Sequence, residues 1–156
     1  MVVTFRPIPG EHGRYGDLTF ELGSLHLRAS TYYYALDHFV PGQDDAAAIR
    51  RSLTELLRQW LERLTAQPDG ATLYLPYHYA DLETGVIVVT RDQDFVHVHP
   101  GTSDLQGVAT YPTNLDDFDE RLDPSGVEVD EVGVRVPRAE LLATLKTSLD
   151  AIASAT

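Results

Sequence analysis

Cysteine is absent from this 156-residue chain, which excludes disulfides, thiolate metal sites and a cysteine nucleophile together. Lysine is almost as scarce: Lys146 is the single lysine among 12 basic residues. It falls on the polar side of the last expected helix, so a buried Schiff-base lysine is not expected. No apolar run approaches the roughly 20 residues that a membrane-spanning helix requires; Val86-Ile-Val-Val89 is typical of the runs present. The start, Met1-Val-Val-Thr-Phe-Arg6, has no basic stretch followed by a long apolar one. No signal peptide reads there, and the expected compartment is the cytoplasm. Gly-x-Gly-x-x-Gly, a phosphate-binding loop, a Gly-x-Ser-x-Gly elbow and His-Glu-x-x-His are missing as well. Their absence lowers the expectation of catalysis without excluding it.

Negative charge is what the chain has in excess. Twenty-four acidic residues against 12 basic ones leave a net charge of −12. Such a surface is repelled by phosphate backbones and by anionic lipid, so neither nucleic acid nor membrane is an expected partner. The hydrophobic content of 43% and charged content of 23% are those of a folded globular protein. The length suits one domain over residues 1–156. Pro7, Pro9, Gly10, Gly13 and Gly16 mark residues 1–16 as an irregular lead-in with room for one short strand at the start.

Leu18-Thr-Phe-Glu-Leu22 and Leu25-His-Leu-Arg-Ala29 alternate apolar and polar around Gly23-Ser24, the pattern of a tight hairpin. Thr31-Tyr-Tyr-Tyr34 reads as an extension of its second strand. Ile49, Leu53, Leu56, Leu57, Trp60, Leu61 and Leu64 then share one helical face, with Asp44 or Asp45 as cap and Pro68-Asp69-Gly70 as stop. Trp60 lies inside that stripe and reads as core. Strands are expected over 72–79, 86–91 and 95–99, with a weaker one over 108–111 and a strand or hairpin over 127–136. Pro76 places its strand at an edge or a bulge. Leu141, Leu145, Leu149 and Ile152 form the buried stripe of a last helix that starts at Pro137. The expected class is α+β: an antiparallel sheet of about five to seven strands, with main helices over about 45–66 and 137–154 packed on one face.

Two sets of residues carry functional expectations. Between Asn114 and Glu131 stand eight acids, Asp116, Asp117, Asp119, Glu120, Asp123, Glu128, Asp130 and Glu131, against the one base Arg121. One helical turn there would bury Phe118 and Leu122 and send Asp116, Asp117, Asp119 and Glu120 outward, a patch that would steer a basic protein partner. A calcium loop of the EF-hand type does not fit, because Arg121 and Leu122 stand where an oxygen ligand and a glycine are needed. In the second set, His97 and His99 lie two apart on a strand and so share a face. The simplest registers put Tyr77 and Tyr79 beside them, opposite a core side of Ile87, Val89, Val96 and Val98. Tyr77 and Tyr79 would then contribute to partner binding. His97 and His99 could hold zinc or another transition metal if His26 or an acid supplied a third ligand.

The reading that results is a small acidic cytoplasmic protein-binding module with no expected catalysis and no expected cofactor. Small acidic regulators, chaperone-like adaptors and immunity-type inhibitors share this size and charge, and nothing in the sequence separates them. The alternative is a metal-binding protein or enzyme built on His97 and His99. A homodimer through an exposed tyrosine-rich sheet face is a further option.

Overall fold

The computed structural model describes residues 1–7, 17–37, 41, 44–107 and 111–155. Strands β1 (Val2–Arg6), β2 (Asp17–Leu22) and β3 (Leu25–Ala29) form an antiparallel three-stranded sheet in that order. The β2–β3 hairpin turns at Gly23-Ser24 as expected, with Leu22 opposite Leu25. Gly23 has φ +57°, where any side chain would be strained. The inward face of this sheet, Val3, Leu18, Phe20, Leu22 and Leu25, is buried.

Residues 31–34 do not extend β3. They open a short helix, α1 (Tyr32–Asp37). The hydroxyl of Ser30 accepts from the Tyr32 N–H at 3.3 Å, and the carbonyl of Thr31 accepts from the Ala35 N–H at 3.0 Å. Tyr33, Tyr34 and Ala35 thereby reach the core, and that burial overrides the preference of tyrosine for strands.

The two long helices lie where the periodicity predicts them, α2 at Asp45–Ala66 and α4 at Arg138–Ser154. The carboxylate of Asp44 caps α2 by accepting from the Ala46 N–H at 3.1 Å. Ile49, Leu53, Leu56, Leu57, Trp60 and Leu64 are all buried, which is the predicted stripe except for Leu61, which is half buried. The Arg138 guanidinium donates to the carbonyls of Leu64 and Thr65 at 2.7 and 2.8 Å. It thus satisfies carbonyls that a helix C-terminus leaves open, and ties the start of α4 to the end of α2.

The second sheet has five antiparallel strands. β4 (Thr72–Tyr79), β5 (Thr84–Asp92) and β6 (Phe95–Ser103) run in order. β7 (Glu128–Val129) and β8 (Val134–Pro137) both lie on the far side of β6. These last two do not form a hairpin with each other. Val129 lies opposite Gly101 and Pro137 opposite Phe95, so they are one edge strand interrupted by an excursion at 130–133. The class is therefore α+β as expected, with the strands divided between sheets of three and five.

Ile87, Val89, Val96 and Val98 join α2, α4 and the small sheet in the main core. Val86 and Val88 point the other way and meet Phe118 in a second cluster. β5 is thus covered on both faces, as its unbroken apolar run implies. The cover on the second face is α3 (Leu115–Arg121). Residues 108–110 of the predicted 108–111 strand, and most of the lead-in, lie outside the described residues, and Tyr111 is not in a strand. Among the described residues no helix is long and apolar enough to cross a membrane.

The two sheets are linked where the Ser30 N–H donates to His78 Nδ1 at 3.1 Å. That bond requires an unprotonated Nδ1. Burial lowers the pKa of His78 below 6.5, against a smaller opposing pull from Glu83. Because the folded-state value is the depressed one, the contribution is complete above pH 6.5 and is lost as pH falls through the folded-state pKa. His78 is only half buried, so the size is that of one net hydrogen bond, about 0.5–1 kcal/mol. The expected result is a melting temperature that falls by about 2 °C more for the wild type than for His78→Asn between pH 7 and pH 5. The asparagine oxygen can replace Nδ1 and does not titrate. Parallel curves for the two proteins would contradict this.

Candidate partner-binding surface

α3 carries the acidic run. The side chain of Asn114 caps it by accepting from the Asp117 N–H at 3.2 Å. Leu115 and Phe118 are fully buried, Leu122 is half buried, and Asp116, Asp119 and Glu120 are exposed. The expected arrangement of apolar residues inward and acids outward is what the helix adopts. Polar residues of α2 hold it in place. The Gln59 side chain donates to the carbonyl of Thr113 and accepts from the Leu115 N–H, both at 3.1 Å. Arg63 reaches Asp116 at 2.7 Å and also pairs with Asp119. Arg121 pairs with Asp117 at 2.9 Å within α3. Three of the four acids therefore have arginine partners, at exposed positions where such pairs contribute little stability. The helix N-terminus further favours Asp116 and Asp117.

The clamp from α2 was not foreseen. Its signal in the sequence is the i,i+4 pair Gln59 and Arg63, polar residues that flank the apolar stripe. Beyond α3, the side-chain hydroxyl and backbone N–H of Ser125 donate to Asp123 at 2.7 and 2.9 Å. They hold its carboxyl below the usual carboxylate range, so the acidic character continues past the helix.

The histidine pair lies where parity puts it. His97 and His99 are on the face of β6 opposite Val96 and Val98. The turn is at Gln93-Asp94, one residue later than the simplest reading, so His99 faces Val88 and His97 faces Thr90. Gln93 takes φ +53° there. His97 Nε2 lies 3.5 Å from Asp92, which Arg135 also approaches at 3.9 Å. The Arg135 guanidinium lies 3.6 Å over the Phe95 ring, a cation–π contact. His99 Nδ1 is 3.2 Å from the Asp130 carbonyl oxygen, and its ring lies against Gly133 so closely that a Cβ there would meet it at 2.3 Å.

Among the described residues no third metal ligand reaches His97 and His99. His26 is on the other sheet, paired with Glu21 at 2.9 Å. Among the described residues no group of three histidine or carboxylate side chains converges.

Tyr77 and Tyr79 do not share the histidine face, and this corrects the expected Tyr/His surface. The β4–β5 register shifts between Pro76 and His78 and leaves Tyr77 without a cross-strand partner. Leu73, Leu75, Tyr77 and Tyr79 keep one alternation along β4 and all pack in the main core, because the register puts Leu75 opposite Ile87 and Tyr74 opposite Val88. Tyr77 packs edge-on against Phe20, centroids 5.5 Å apart. Tyr79 is 1% exposed and meets Tyr34 edge-on at 5.6 Å. Burial raises the pKa of both Tyr34 and Tyr79 well above 10, so they remain neutral core residues. The tyrosine that does lie on the histidine face is Tyr74, which precedes the bulge and sits opposite Val88. Asp81 accepts from the Tyr33 hydroxyl. This bond holds the Tyr33 pKa up to about 12, too high for proton transfer at neutral pH.

No family model matches this chain, and no curated protein matches it in sequence. Its fold has a known counterpart. A chain of the CdiA-CT/CdiI toxin and immunity complex from Enterobacter cloacae is similar over 96% of this chain and 97% of that one, with a TM-score of 0.52. The two are 14% identical, so the likeness is one of fold.

Proposed function

We propose that this chain is a protein-binding module of the immunity type that engages a basic protein partner through α3, with no catalytic step of its own. The observation that carries the reading is the orientation of α3. Buried Leu115 and Phe118 fix the helix on the sheet, and Asp116, Asp119 and Glu120 point to solvent beside Asp123. A helix anchored in this way presents charge in a set geometry, which speeds encounter with a cationic surface and disfavours wrong partners. The net charge of −12 supports the same sign of partner. The likeness in fold to a chain of a toxin and immunity complex supports the choice of immunity-type inhibitor among the small acidic modules.

The test compares the wild type with a variant in which Asp116, Asp117 and Asp119 become Asn and Glu120 becomes Gln, each used to capture partners from lysate at low and moderate salt. A basic protein should be retained by the wild type, less well as salt rises. The variant should bind that protein about 10- to 100-fold more weakly, mostly through slower association. A partner held equally by both proteins, or one indifferent to salt, would overturn the role given to α3.

A further inference from the structure

α3 covers only part of the outer face of the five-stranded sheet. Phe118 and Leu122 close over Val86 and Val88, but among the described residues the next row of side chains is at least half exposed. Thr72, Thr90, His97 and Arg135 lie side by side across β4, β5, β6 and β8. Thr90 and His97 are half exposed, and Thr72 and Arg135 are exposed. Between this row and α3 lies a second one: Tyr74, half exposed and packed on the Phe118 cluster, then Val88 and His99. The half-exposed rings of Tyr74 and His99 thus flank the covered Val88 in a strip beside the acidic helix.

Acids stand along two adjoining borders of the strip. α3 lies at one. At the other, outside β6, the excursion between β7 and β8 carries the exposed Asp130 and Glu131, with Glu128 just before it. Pairing with Arg63 and Arg121 offsets part of the α3 charge, but residues 114–131 hold eight acids against the one base Arg121. The field over the strip is therefore negative, and the half-exposed rings of Tyr74 and His99 are the strip's floor. That combination matches interface cores, in which aromatic residues are enriched and charge is kept to the rim.

We propose that the partner surface extends from α3 across this open half of the sheet. There, the half-exposed rings of Tyr74 and His99 receive an apolar side chain of a basic polypeptide segment, and α3 and the 128–131 acids receive its cations. The inference rests on the proposed function and adds where the anchoring contact is made. α3 supplies attraction and the strip supplies the grip, so the two parts separate experimentally.

The probes are two cationic peptides of equal length, one of alternating Lys and Leu and one of lysine alone, titrated into 15N-labelled protein. Oligolysine should shift amides of α3 and of 128–131. The Lys/Leu peptide should shift these and also the amides of Tyr74, Val88, Thr90, His97 and His99. Tyr74→Ala should weaken the Lys/Leu peptide about tenfold and leave oligolysine unchanged, and Tyr74→Phe should restore binding. Thr90→Arg, a substitution at a half-exposed site, should also weaken the Lys/Leu peptide, by repulsion. If the Lys/Leu peptide shifts only the residues that oligolysine shifts, or if Tyr74→Ala and Thr90→Arg bind it as the wild type does, this inference falls and the proposed function stands. If neither peptide reaches α3, both fall.

Discussion

Phe118→Ala is expected to cost about 3–5 kcal/mol, as truncation of a fully buried aromatic does. In a chain of this size that corresponds to a fall in melting temperature of about 6–15 °C. Phe118 is 0% exposed and is the central contact of α3 with Val86 and Val88. Leu115, the other buried residue of α3, belongs to the main core instead. Removing the phenyl ring leaves α3 held on the second sheet face by half-buried Leu122 and by exposed ion pairs, which are worth about 0–1 kcal/mol each. Amide exchange should accelerate across 115–121 and at Val86 and Val88, while β1–β3 keeps its protection. The comparison protein is Asp117→Asn, which removes one exposed pair and should change stability by less than about 1 kcal/mol. A Phe118→Ala protein that unfolds within about 1 kcal/mol of the wild type would show that α3 is not anchored by this ring.

Trp60→Ala should be similarly severe, about 3–5 kcal/mol, whereas Trp60→Phe should cost only about 1–2 kcal/mol. Trp60 is 1% exposed, among the largest fully buried side chains, and packs 5.6 Å from Phe20 across the gap between α2 and the small sheet. Its indole N–H is buried and finds no hydrogen-bond partner among the described residues. An unsatisfied buried donor costs about 1–3 kcal/mol. Phenylalanine removes that penalty along with part of the volume, and the two effects oppose each other. Denaturant unfolding followed by circular dichroism measures this; fluorescence does not serve, since Trp60 is the only tryptophan. If phenylalanine proves as damaging as alanine, the indole N–H does have a partner in solution.

These sites differ in how far the sequence betrays them. Trp60 is legible at once, because seven apolar residues at helical spacing have one physical solution. Phe118 is nearly as legible, through its spacing from Leu122 inside an acidic run. His97 and His99 follow from strand parity, which survives the one-residue error in the turn at 93–94 because both registers keep the same alternation. Tyr77 and Tyr79 show where register fails. Their alternation with Leu73 and Leu75 is regular and puts them in the main core, but the turn between β4 and β5 sets Tyr74 rather than Tyr77 opposite Val88. Pro76 signals a bulge or an edge without saying which; β4 has both. Tyr32 to Tyr34 fail for another reason: whether a tyrosine run extends a strand or coils into the core depends on space beneath α2 and β4, which no local pattern reports. Arg63 and Gln59 were invisible as a clamp because their partners lie about fifty residues away in sequence.

Both margins of the larger sheet are broken, β4 by Pro76 and its bulge, the far side by the gap between β7 and β8. A broken margin offers a poor template for another chain's backbone, so stacking of copies into fibrils is disfavoured even at high concentration. It also means that a visiting chain has little backbone ladder to join. Recognition must then pass through side chains, and a main-chain ladder would tolerate substitutions that side-chain recognition does not. On the proposed reading, a few point changes on such a surface would exchange its partner without altering the core.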